Sequence, residues 1–143
     1  MLQVFIFGLT SVGILVISHF FLYVSFLKFF TIESAALRYL IGGILAFFPI
    51  GIIGTQLLAH YLDTAVSRGL FYFFSLWFGI LTALLTSFLL AWLIAGIDSV
   101  FRINIPLFTI GIIVAAGTIG YCAYGIWNAY HPIVQHISVS IKG

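Results

Sequence analysis

The stretch 69-GLFYFFSLWFGILTALLTSFLLAWLIAGI-97 contains no Asp, Glu, Lys or Arg over 29 residues. A hydrocarbon core about 30 Å thick is crossed by about 20 helical residues rising about 1.5 Å each, so the stretch is long enough to span a membrane. Lipid offers no partners for backbone N–H and C=O groups, and a helix satisfies them within one segment. The limits of the stretch are plain: Asp63 and Arg68 precede it, Asp98 and Arg102 follow it.

The remaining charges divide the rest of the chain in the same way. Lys28, Glu33 and Arg38 separate two earlier uncharged stretches, and Lys142 closes a fourth. Transmembrane helices are therefore expected at about 4–29, 37–61, 69–97 and 105–130, forming one four-helix domain over residues 1–131. The composition agrees: 64% hydrophobic, 6% charged and a mean hydropathy of +1.30, against roughly half apolar and a quarter charged in soluble domains. So few charges cannot cover a water-facing surface. A net charge of +2 with no basic run argues against a nucleic-acid partner and leaves the lipid bilayer as the surroundings. The chain is apolar from Leu2 onward, without the basic n-region and small-residue cleavage site of a signal peptide, and reads as a retained first helix.

Local signals refine the ends. Ser34 fits an N-cap for helix two, Asp63 or Ser67 for helix three, and Asn104 for helix four, with Pro106 in its first turn and Pro132 ending it. Pro49 lies inside helix two near Gly51 and Gly54, where a kink is expected. Short connections predict an up-down-up-down arrangement with both termini on one side. Lys28, Arg38 and Arg102 then face Arg68 and Lys142 across the membrane; three basic residues against two favour both termini outside the cytoplasm, a margin that counting the amino terminus on the second side removes, in a multi-pass protein of the cell membrane.

Lipid gives helices no hydrophobic reason to associate, so small residues that permit close approach are the packing signal. Helix four carries Gly111, Ala115, Thr118, Cys122, Gly125 and Ala129 at spacings of four and three, along one face. Helix one has Gly8, Ser11, Ser18 and Ser25, interrupted by Leu15 and Leu22. The two faces are expected to meet each other or a common neighbour; the alternative is a homodimer seam. Cys122, the single cysteine, reads as a small packing residue with no disulfide partner in the chain. Phe29, Phe30, Tyr39, Tyr61, Phe71, Tyr72, Trp92, Trp127 and Tyr130 fall near helix ends, as an interfacial aromatic belt would. Trp77 lies deeper, and is expected in the core with its N–H bonded to a neighbouring helix.

Little in the spans points to chemistry. Proton relays and ion-coupled carriers need an ionisable group within the membrane, and none of the eight formally charged residues is there. His19 is the one titratable candidate, read as neutral and hydrogen-bonded to Ser18, Tyr23 or another helix. Thr55, Gln56 and Asn128 are the other strongly polar positions, the last two within reach of water or headgroups. The chain has no Ser-His-Asp set, paired carboxylates, CxxC or phosphate loop, and His131 with His136 alone does not make a metal site. No catalytic, cofactor or metal residue is assigned.

After Pro132 the pattern changes: Ile133, Gln135, Ile137, Val139 and Ile141 alternate with Val134, His136, Ser138, Ser140 and Lys142. This is the period of a half-buried strand, which needs a sheet that nothing else here supplies. A disordered tail or a short interfacial helix are the alternatives. Residues 132–143 are accordingly expected to begin a following domain.

The string Tyr124-Gly125-Ile126-Trp127-Asn128-Ala129-Tyr130-His131-Pro132, followed by that alternation, resembles the junction in membrane-bound metallophosphoesterases, where the last anchor helix runs into the first strand of a calcineurin-like domain. His19 and Tyr23 in helix one, and Leu76-Trp77-Phe78-Gly79 in helix three, resemble the same family's membrane region. The resemblance implies a phosphoester hydrolase with a two-metal site of Asp, His and Asn ligands downstream of the strand, so residues 1–143 are expected to hold none of them. It further implies a C-terminal phosphoesterase domain as partner, tethered to the membrane and presented with a lipid-linked substrate. A self-contained small channel or transporter, or a membrane scaffold subunit, are the other readings.

Overall fold

The computed structural model describes residues 2–131. The strand expected within 132–143 lies outside them. The described chain is all-helical: α1 (Leu2–Phe29), α2 (Ala35–Tyr61), α3 (Ala65–Phe101) and α4 (Leu107–Tyr130). Each is long and apolar enough to cross a membrane.

The helices begin and end where local chemistry meets their orphan backbone groups, and this corrects several of the expected caps. α3 is 37 residues long, a turn longer at each end than the uncharged stretch. Its N-cap is neither Asp63 nor Ser67 but Thr64, in a reciprocal box: Ser67 N donates to Thr64 Oγ1 at 3.1 Å and Thr64 N to Ser67 Oγ at 3.0 Å. Asp63 instead faces Arg68 at 3.7 Å, both well exposed. α4 is capped by Pro106, so that proline precedes the first turn, and Asn104 is no cap. It takes a left-handed backbone with φ 66° while its Nδ2 donates to Arg102 O at 3.1 Å. Ser34 does occupy the N-cap of α2, although its side chain makes no capping bond.

Two helix ends use the left-handed residue that usually is glycine. Thr31 (φ 51°) follows α1 and Arg102 (φ 55°) follows α3. In each case the next residue returns a bond to the helix, Ile32 N to Leu27 O at 3.1 Å and Ile103 N to Asp98 O at 3.4 Å, the six-to-one bond of a Schellman motif. Asp98 Oδ1 then accepts from Ile105 N at 2.9 Å, which pins the turn into α4.

The short connections reverse the chain three times, and contacts across them agree: Tyr23 lies on Gly42, and the end of α1 lies on Gly111 at the start of α4. α1 and α3 form the middle of the bundle, with α2 and α4 flanking them and not touching each other. The core consists of Leu15, Leu22 and Phe29 of α1, Leu45 of α2, Leu81, Phe88 and Ala91 of α3, and Ile110 and Val114 of α4. Leu15 and Leu22, which break the small-residue pattern of helix one, are thus its inward face. Gly8 and Ser11 are exposed, and Ser18 is half-buried. Most outward positions are large and apolar, as a lipid-facing surface requires.

Pro49 is buried within α2, which continues through it. Its ring leaves the carbonyl of Leu45 without the usual donor. Two residues on, Gly51 receives the ring of Phe74: a Cβ there would sit 2.0 Å from Phe74 Cε1. That contact is one that only glycine permits.

Candidate functional site

Two of the polar side chains that the bundle buries, His19 and Ser25, lie on its α1–α3 seam and bond across it. His19, 4% exposed, places Nδ1 at 2.8 Å from Leu15 O one turn back, and its Nε2 accepts from Trp77 Nε1 at 3.1 Å. An indole nitrogen only donates. Nε2 therefore carries the lone pair, Nδ1 carries the proton, and the ring is neutral with both nitrogens engaged. Trp77 is clamped from the other side by Phe48 of α2, stacked at 3.7 Å between ring centroids with planes 10° apart. One indole thereby joins three helices.

Four turns further along α3 the arrangement recurs. Trp92 Nε1 donates to Ser25 Oγ of α1 at 3.0 Å, and Ser25 is completely buried. Phe29 meets the Trp92 ring edge-on at 5.6 Å, and Lys28 Nζ lies 4.2 Å from its centroid, within cation–π range. Phe29, 0% exposed, is therefore a core residue, and Trp92 packs half-buried against that core. With these two bonds made, no buried side-chain nitrogen or oxygen among the described residues lacks a partner.

The positions singled out in the sequence separate into two groups. His19, Tyr23, Pro49 and Trp77 come together: the first three line a cavity of about 410 Å³ between α1 and α2, and Trp77 is bonded to His19. The bond of Trp77 to a neighbouring helix is the one expected, and the neighbour is His19 itself. The stripe of α4 divides instead. Gly111 lies against Phe29, where a Cβ would come within 3.2 Å of that residue's backbone oxygen, and Thr118 is buried with its hydroxyl donating to Val114 O at 2.8 Å. Ala115 and Cys122 are half-buried, whereas Gly125 and Ala129 are exposed. Gly111 thus sets the start of this face on Phe29 of helix one, not on the small-residue face of that helix, while its last turn faces outward.

Sequence reasoning missed the Ser25–Trp92 bond. A signal was present: Trp77 and Trp92 are 15 residues apart, close to a whole number of helical turns, so both project from one side of α3 toward whichever helix lies there. Among the described residues no group of three or more His, Cys, Asp or Glu side chains comes together as a metal site would require.

Four helices of membrane-spanning length around a sealed polar seam make this chain a multi-pass membrane protein. No family model, no curated protein and no solved structure matches it.

Proposed function

We propose that the chain is the membrane-anchoring domain of a membrane-bound metallophosphoesterase, inserted in the cell membrane with both termini on the extracytoplasmic side. The observation that carries this reading is the junction after α4, where the string 124–132 and the apolar–polar alternation beyond it resemble the hand-over from anchor helix to catalytic domain. The end of α4 at Tyr130, with His131 as its C-cap, supports it, because the helix finishes just before Pro132. So does the α1–α3 seam: its one histidine has both nitrogens occupied, which suits a fixed tether better than a proton carrier. Lys28, Arg38 and Arg102 on the opposite side support the orientation.

The transcript beyond the codon for Gly143 tests the reading. A following strand that ends in Asp-x-His supports it, and a stop codon at that point overturns it. A reporter enzyme fused after Gly143 tests the orientation separately, since a signal from the cytoplasmic side overturns that part alone.

A further inference from the structure

Beside the His19–Trp77 bond, residues 11–18 of α1, 52–56 of α2 and 78–85 of α3 border a common space. Residues 6–12 of α1 are exposed throughout, and a cavity of about 420 Å³ opens between the helices. Its wall is apolar except for Ser11 and Ser18 of α1, Gln56 of α2 and Thr82 of α3. Gln56 also borders a second cavity of about 260 Å³, together with Thr55 and Ser75. Gln56 lies five residues, or about 7 Å of helix rise, from the end of α2. Ser18 and Thr82 lie nearer the middle of their helices, so the polar positions run from close to one membrane face toward the midplane.

The hydrogen-bonding capacity of this wall is specific. The hydroxyls of Ser11 and Thr82 donate to Phe7 O at 2.9 Å and to Phe78 O at 3.0 Å, which leaves their lone pairs as acceptors. The side chains of Gln56 and Ser18 make no hydrogen bond among the described residues, so the Gln56 amide and the Ser18 hydroxyl can both donate and accept. Ser11, Gln56 and Thr82 are exposed and Ser18 is half-buried, and polar groups that face hydrocarbon cost free energy when they are unmatched. None of the lining residues is charged, and Asp63 and Arg68, which follow Gln56 in the chain, face each other. A phosphate, carboxylate or ammonium would lose its hydration here without finding a counter-ion, whereas a hydroxyl and ester oxygens match the donors and acceptors present. The volume falls within the usual range for small-molecule pockets, about 300–1,000 Å³.

We infer that this cavity is a binding site for an uncharged lipid, a diacylglycerol whose hydroxyl and ester groups bond Gln56, Ser18 and Thr82 while its chains leave through the open side into the bilayer. The site goes beyond the anchoring role and stands whether or not that role holds. The test uses the full chain in phosphatidylcholine nanodiscs containing a trace of diacylglycerol with a diazirine close to its ester, cross-linked peptides being located by mass spectrometry. Labelling is expected within 11–18, 52–56 and 78–85, reduced at least tenfold by excess unlabelled diacylglycerol and by a similar factor in Gln56→Leu. A Leu40→Ala control, outside the cavity, is expected to label like the unmodified chain. Labelling that excess diacylglycerol does not reduce, equal labelling of the same segments by a phosphatidylcholine diazirine, or full labelling of Gln56→Leu overturns the site. If Gln56→Leu loses its helical circular dichroism, Thr82→Val replaces it, with a loss of at least threefold required.

Discussion

A tryptophan in the middle of a membrane helix has to place one N–H, and in this chain that requirement selects the neighbours. Trp77→Phe keeps the ring packed on Phe48 but removes the donor to His19 Nε2, leaving a buried acceptor unmatched. Interhelical hydrogen bonds in membranes contribute about 0.6 kcal/mol on average and up to about 1.7. Reversible unfolding in mixed micelles should therefore show a loss of about 1 kcal/mol for Trp77→Phe and a similar loss for Trp92→Phe, which strands Ser25. The two sites are separated by four turns of α3, so the double variant should lose close to the sum. A loss well below half a kcal/mol in each would mean that these bonds do not hold the seam. Gly51 presents the opposite case, an absence of atoms that matters. Gly51→Ala drives a methyl into the Phe74 ring, and overpacking of this kind costs about 1–3 kcal/mol. Combining it with Phe74→Leu should recover much of that loss in the same assay.

At the scale of an element, α4 shows that identical residues in one helix have different duties. A methyl group added at Gly111 would stand 3.2 Å from the backbone oxygen of Phe29, whereas one added at Gly117 or Gly120 would have nothing within 4 Å. Backbone cannot step aside as a side-chain tip can. Gly111→Ala is expected to destabilise the bundle by about 1–3 kcal/mol, while Gly117→Ala and Gly120→Ala should be neutral or stabilise it by up to about 1 kcal/mol through helix propensity. Unfolding midpoints of the three variants check the contrast, which fails if all three move together. The spacing of small residues along α4 was legible in the sequence. Which of them meet a neighbour was not, because spacing defines a face without saying how much of its length a partner covers. The caps were not legible for a related reason: Thr64 and Ser67 act as a reciprocal pair, and Asn104 is drawn into the turn by Arg102 O and the Asp98–Ile105 bond.

For the whole molecule, the decisive property is that the polar groups buried among the described residues are matched internally and none carries a formal charge. Liposomes containing the chain are accordingly expected to show no ion current and no pH-driven uptake. A flux that His19→Ala abolishes would overturn the anchor reading and assign His19 to a transport path. Removal of α4 tests the architecture itself. α2 and α4 do not touch, so a chain ending after Arg102 should retain the Phe48–Trp77 stacking, read as near-ultraviolet circular dichroism of the indoles.

The number of helices, their approximate limits and their residence in lipid followed from the sequence by itself, because charged groups are expelled from hydrocarbon whatever the helices do to one another. The neutral state of His19 and the inward position of Trp77 were legible on the same ground. Their mutual bond was not, nor were the core position of Phe29, the packing of Trp92 against it, the exposure of the last turn of the α4 stripe, or the separation of α2 from α4. In water an apolar stripe marks the buried face of a helix. In lipid the outer face is as apolar as the inner one, so hydrophobic periodicity carries no direction. Only close packing and the matching of a few polar atoms across helices decide which side faces in, and those are properties of the tertiary structure.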